Sequence, residues 1–175
     1  MDDASRRLRL EALFAAYAPA VLAYARRRVG SAMAEDVLGD VFVVAWRRLD
    51  DAPGDPLPWL LVCARLVIGN YARADRRRGR LLARLAAEIA TDELPIELSN
   101  GAVGRALAGL SERDRETLLL VAWDGLTAER AAVVAGCSPQ AFRVRAHRAR
   151  RRFARALQAA DLAATDQIAM EACNE

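Results

Sequence analysis

The stretch AGCSPQAFRVRAHRARRRF, residues 135–153, sets a glycine turn in front of a helix crowded with arginine. Guanidinium groups at that density have no place in an apolar core. What they can do is pair bidentately with phosphates or with the edge of guanine. The chemistry on offer is therefore anion binding. His147 is the only histidine, and alone it builds neither a nucleophile–base triad nor a multi-histidine metal site. A base or phosphate contact, or plain exposure, is what remains for it. Cys63, Cys137 and Cys173 lie far apart without a CxxC pair, as reduced thiols do rather than a disulfide framework or zinc ligands. There are no clustered ligands, no glycine-rich phosphate loop and no general base beside a nucleophile. The expectation is a protein that is not an enzyme and uses no metal or cofactor.

The arginines must be positioned by a helix. On a 3.6-residue wheel Phe142, Ala146, Ala149 and Phe153 form one narrow stripe that faces a core. Gln140, Val144, His147, Arg148 and Arg151 fall opposite, flanked by Arg143 and Arg150. The preceding segment TAERAAVVAG is short and rich in small residues, so a following helix can approach it closely. Helix, tight glycine turn and longer cationic helix make a helix-turn-helix, whose second helix enters the DNA major groove. Its N-terminal positions read bases and the arginines further along hold phosphates.

Charge is uneven along the chain. The net value is +3, but arginines crowd residues 73–84 and 143–155, while 85–104 and everything after 155 carry acids and no base. Such blocks suit polyanion-binding surfaces. All 26 basic residues are arginine; selection for bidentate contacts and the codon bias of a GC-rich genome both account for that. The start, MDDASRRLRL, lacks a long apolar run, so no signal peptide is expected. The longest apolar run is expected at 57–69, too short to span a bilayer and broken by Arg65. An intracellular protein without membrane insertion follows.

Helical periodicity runs throughout and no segment alternates like a strand, which predicts an all-α chain. Helices are expected over 8–28, with Pro19 a candidate kink, and over 32–49, capped by Ser31. Residues 50–58, DDAPGDPLP, read as a loop. A third helix should start near Pro58 and run through Arg78, followed by an acidic, partly extended linker over 80–100. A short helix over 101–110 precedes one capped by Ser111 and ending near Trp123. Thr127 caps the next, which stops at Gly136, and Ser138 caps the last, with Pro139 at its first position. The architecture is two small helical domains joined by a flexible linker.

In the first domain, Leu38, Val41, Phe42, Ala45 and Leu49 lie on an inward face of the 32–49 helix. Asp36, Asp40, Val43 and Arg47 form an outward face that mixes acids with an apolar residue, as protein-docking faces do. On the next helix Trp59, Asn70 and Tyr71 accompany Arg65, Arg73, Arg76, Arg77 and Arg78. Flat rings beside arginines suit unstacked single-stranded bases; a packed tryptophan beside a solvated arginine run is the competing reading.

These two blocks together resemble one family. AEDVLGDVFVVAWRRL followed by PWLLVCARLVIGNYARADRRR is similar to regions 2.2 to 2.4 of the bacterial sigma-70 family. LSERDRETLLLVAWDGLTAERAAVVAGCSPQAFRVRAHRARRRF is similar to its region 4. With only a short linker between them, the chain resembles the extracytoplasmic-function (group IV) sigma factors over about residues 8–158. The resemblance implies region 2 over 1–79, a linker over 80–100, region 4 over 101–158 and a C-terminal tail over 159–175. It implies a cytoplasmic initiation factor, monomeric when free, that binds core RNA polymerase at the β′ clamp helices and the β flap. Asp36, Asp40, Val43 and Arg47 would make the clamp contact. Trp59, Arg65, Asn70, Tyr71, Arg73 and Arg76 to Arg78 would melt and hold the promoter −10 element. Gln140, Arg143, Val144, His147, Arg148 and Arg151 would serve the −35 element, with Arg143, Val144, His147 and Arg148 at base-reading positions. The acidic linker would thread polymerase's positively charged RNA exit path, and an anti-sigma factor is a further candidate partner.

Three positions depart from the family pattern. Gly39 stands where a longer polar residue is usual, at a helix cost of up to about 1 kcal/mol. Leu66 stands where many members carry asparagine, and Ala146 replaces a larger apolar residue. The rival reading is a dimeric helix-turn-helix regulator with a palindromic site, which leaves the 34–49 docking face unexplained.

Overall fold

The computed structural model describes residues 2–83 and 101–172, with side chains over 2–77 and 101–160. The chain divides into two compact units, Met1–Pro95 and Ile96–Glu175. Among the described residues all regular structure is helical.

The first unit is a three-helix bundle of α1 (Asp3–Val29), α2 (Ser31–Arg47) and α3 (Pro56–Ala83), each packed on the other two. Its core is built from Val21, Tyr24 and Ala25 of α1, Val37, Val41 and Ala45 of α2, and Leu60, Leu61, Ala64 and Val67 of α3. A single residue, Gly30, separates α1 from α2. Its φ of 74° and ψ of 171° lie where a side chain is strained, so glycine is what allows the immediate reversal. Gly30 therefore occupies the cap position expected for Ser31, and Ser31 is the first helical residue. α1 and α2 meet edge-to-face through Phe14 and Phe42, with ring centroids 4.8 Å apart. The first turns of α1 are held at the other end of α2 by Arg6. Its guanidinium donates to Asp50 at 2.7 Å and to the Trp46 carbonyl at 3.1 Å, and lies 5.2 Å from the Trp46 ring centre.

Two sequence expectations are corrected here. The loop over 50–58 is shorter: a 3-10 turn covers Leu49–Asp51 and α3 already begins at Pro56. Both Pro56 and Pro58 sit in the first turn, where their missing N–H groups have no intrahelical acceptor to lose. The longest apolar run is also not 57–69 but lies in α1, where residues 12–25 carry no charge. Among the described residues, α1 is the one helix long and apolar enough, by length and composition, to cross a bilayer. Its face bearing Leu13, Ala18, Val21, Tyr24 and Ala25 is buried in the bundle. Pro19 lies inside a helix that continues unbroken through it. The linker expected over 80–100 falls almost wholly outside the described residues, α3 extending through Ala83.

Gly39 lies mid-helix in α2 and is exposed, and a Cβ placed there meets nothing within 4 Å. Gly39→Ala should therefore stabilise the first unit by about 0.5–1 kcal/mol through lost unfolded-state freedom. Urea unfolding checks this, and an unchanged or lowered midpoint contradicts it.

The second unit contains α4 (Gly101–Ala108), α5 (Glu112–Ala122), α6 (Ala128–Ala135) and α7 (Pro139–Ala172). α7 packs against each of the other three. Leu107, Leu110, Leu118, Leu119 and Ala149 form the core, with Phe153 against them. α7 runs well past 158, the point where the sequence suggested a tail begins.

Candidate nucleic-acid interface

The motif α6–turn–α7 is built by local chemistry. Thr127 caps α6, its hydroxyl accepting from the Arg130 N–H at 3.4 Å. Gly136 ends α6 in the left-handed region at φ 65° and ψ 43°. Cys137 N–H then donates to the Ala132 carbonyl at 3.0 Å, and Gly136 N–H to Val133 at 3.2 Å, the doubled bond of a glycine helix stop. Ser138 accepts from Ala141 N–H at 3.2 Å, and Pro139 begins α7. The same device starts α5, where Ser111 Oγ accepts from Asp114 N–H.

α7 presents the two faces read from the wheel. Phe142 and Ala149 are fully buried and Ala146 nearly so, with Phe153 half-buried. Gln140, Arg143, Val144, His147, Arg148 and Arg151 are all exposed. Val144 is the apolar member of this exposed face, at 47% exposure.

Two carboxylates organise these arginines, and sequence reasoning missed both. Glu129, in the first turn of α6, ion-pairs with Arg143. Its carboxyl is held below the usual carboxylate range by its own backbone N–H, by the Thr127 hydroxyl and by Arg143. Asp114, buried at the start of α5, accepts from Arg152 at 2.5 Å. These partners lie 14 and 38 residues apart, and no helical spacing relates them. A shallow groove of about 570 Å³ between the start of α5 and α7 is lined by Arg113, Arg145, Arg148, Arg152, Asp114 and Gln140. Arg152 is taken by Asp114, so the groove's net positive charge rests on Arg113, Arg145 and Arg148. Arg113 and Arg145 carried no individual signal in the sequence, Arg113 lying between Glu112 and Asp114 and Arg145 being one of many arginines along α7.

On the first unit, Asp36, Asp40, Val43 and Arg47 are exposed together along α2. α3 divides the residues expected to meet single-stranded DNA. Trp59, Leu66, Asn70, Arg73 and Arg77 recur at helical spacing along one side of α3. Leu66 on that stripe is 55% exposed, and Arg73 donates to Asn70 at 2.5 Å. Arg65 and Arg76 flank the stripe and are exposed. Tyr71 does not join them. It continues the buried series Leu60, Ala64, Val67, and its hydroxyl donates to Asp40 of α2 at 2.9 Å. That bond to a carboxylate, with some burial and the charges of Asp40 and Asp36, raises the Tyr71 phenol above its ordinary pKa. The residues expected to dock and those expected to hold bases thus meet at one hydrogen bond. The Arg78 side chain lies outside the described residues.

Cys63 is buried, which pushes its thiol up, and Cys137 is half-buried; both are free thiols. Cys173 lies outside the described residues. No group of metal-ligating side chains occurs among the described residues.

Comparison with known proteins matches this geometry to named modules. Residues 13–78 fit the family model of Sigma-70 region 2, and residues 100–153 that of Sigma-70, region 4. The chain is 29% identical over 144 residues to RNA polymerase sigma factor NccH of Alcaligenes xylosoxydans xylosoxydans, covering 73% of this chain and 75% of that one. Among solved structures it resembles CnrH, determined in complex with the cytosolic domain of CnrY, with TM-score 0.60 and 28% identity over 86% of this chain and 88% of that one. It shares its fold with the sigma factor RpoE of Bartonella quintana, determined with the anti-sigma factor NepR, at TM-score 0.61 and 24% identity over 85% and 96% of the two chains.

Proposed function

Because the chain belongs to the sigma-70 family, as a transcription initiation factor of the extracytoplasmic-function type, we propose a division of labour among its described faces. The α2 face of Asp36, Asp40, Val43 and Arg47 docks on the β′ clamp helices of core RNA polymerase. The α3 stripe of Trp59, Asn70, Arg73 and Arg77, with Arg65, Arg76 and Arg78 on the strand backbone, holds the melted −10 element. Tyr71 joins that set through its link to Asp40. α7 enters the major groove of the −35 element with Gln140, Arg143, Val144 and His147 at base edges. Arg148 reads there as well, and Arg151 holds a phosphate. Region 2 then spans 1–79 and region 4 spans 101–158, the acidic segment 80–100 following the RNA exit path and region 4 also meeting the β flap. The protein works in the cytoplasm, is monomeric when free and carries no catalytic centre of its own. An anti-sigma factor that covers the α2 and α7 faces is its natural antagonist, by analogy with CnrH bound to the cytosolic domain of CnrY and RpoE bound to the anti-sigma factor NepR.

The observation that carries this reading is the pairing, within one chain, of an acidic–apolar docking face on α2 with an exposed arginine-and-valine face on a helix-turn-helix. Size-exclusion chromatography with core polymerase tests the first half. Co-elution is expected, and separate elution contradicts the docking assignment. Salt titration tests the second. If Arg151 holds a phosphate, Arg151→Ala should flatten the log–log slope of −35 duplex binding by the resulting holoenzyme by about 0.9. An unchanged slope places Arg151 off the DNA.

A further inference from the structure

Glu129 and Arg143 tie the first turn of α6 to the second turn of α7. Both side chains are 59% exposed, and an exposed ion pair of this kind adds little to a fold. A carboxylate is also the wrong charge for a surface that meets phosphates, because it opposes the counterion release on which such binding depends. Its presence beside the recognition helix therefore needs another reason, and the geometry supplies one. An unrestrained arginine sweeps many rotamers and settles on whichever phosphate or base edge it reaches. With one Nη2 hydrogen on Glu129, Arg143 loses much of that freedom, while its other N–H donors stay available for a base. Arg143 lies near the N-terminus of α7, where helix-turn-helix side chains reach base edges. Glu129 sits in the first turn of α6, where the Thr127 cap holds the backbone that carries it.

From this geometry we infer that Glu129 is a specificity-determining positioning residue, which holds Arg143 to read one guanine of the upstream promoter element through O6 and N7. The inference rests on the reading of α7 as the −35 helix. It gives Glu129 no contact with DNA; its action is through the aim of Arg143.

Competition binding of the reconstituted holoenzyme tests it, using duplex promoters in which each upstream position is varied through all four bases. Arg143→Ala should cut the preference for guanine at one position by about tenfold. Glu129→Gln, equal in size but uncharged, should reduce preference at that same position by about threefold or more. Its overall affinity should hold or rise, since a repulsive charge has gone. Glu129→Asp, a shorter acid, should also lose discrimination there while leaving overall affinity where it was. A Glu129→Gln profile that superimposes on the wild type while Arg143→Ala loses the guanine overturns the inference alone. If wild type shows no upstream preference, or Arg143→Ala changes nothing, the assignment of α7 falls with it.

Discussion

Phe142→Ala is expected to cost the second unit about 3–5 kcal/mol, the range for emptying a fully buried aromatic site. Phe142 has no exposed surface and lies on the stripe by which α7 meets α4, α5 and α6. That stripe already carries Ala146 where family members have a larger residue, so little apolar bulk remains nearby to collapse into the void. A small helical unit has about 5 kcal/mol of stability at the low end, so the loss is enough to melt much of it. Trp123 ends α5 and Trp46 and Trp59 belong to the first unit, so tryptophan fluorescence of single-tryptophan versions follows each unit separately. The expected result is early unfolding at Trp123, loss of −35 duplex binding, and retained co-elution with core polymerase through α2. Unchanged stability at Trp123 contradicts the packing described for α7. Phe142→Leu, which keeps most of the volume, should cost far less.

The second large effect concerns the docking face. Reversing both acids, Asp36→Arg with Asp40→Arg, should abolish polymerase-dependent transcription while −35 duplex binding by α7 persists. Placing like charges against a complementary surface costs several kcal/mol, which corresponds to a loss of at least about a hundredfold in affinity. Both side chains are exposed, so the fold itself loses little. Asp40 also accepts the Tyr71 hydroxyl, and Tyr71→Phe isolates that contribution. It removes the hydrogen bond and leaves both carboxylates, so core binding should survive it. Loss of core binding in Tyr71→Phe, or its retention in the double reversal, contradicts the assignment of the α2 face.

Much of this organisation is legible in the sequence where local chemistry decides. Ser111, Thr127, Gly136 and Ser138 punctuate the second unit as their side chains and backbone freedom dictate, and the Phe142–Phe153 stripe faces inward as its period requires. The misses have tertiary causes. Ser31 looks like a cap, but the reversal at Gly30 is so tight that glycine takes the position. Tyr71 looks like a companion of Asn70, its neighbour in sequence. Adjacent helical positions point about 100° apart, and that step carries Tyr71 to the α2 side. Glu129 and Asp114 are invisible as partners of Arg143 and Arg152, because in a chain this rich in arginine any acid has many candidates and only packing selects one.

The most direct test of the central reading is run-off transcription with purified core RNA polymerase on a pool of promoter fragments, with and without this protein. Discrete transcripts that appear only when the protein is present, and disappear with the Asp36→Arg and Asp40→Arg double variant, are the expected result. A transcript pattern identical with and without the protein would contradict its role as an initiation factor.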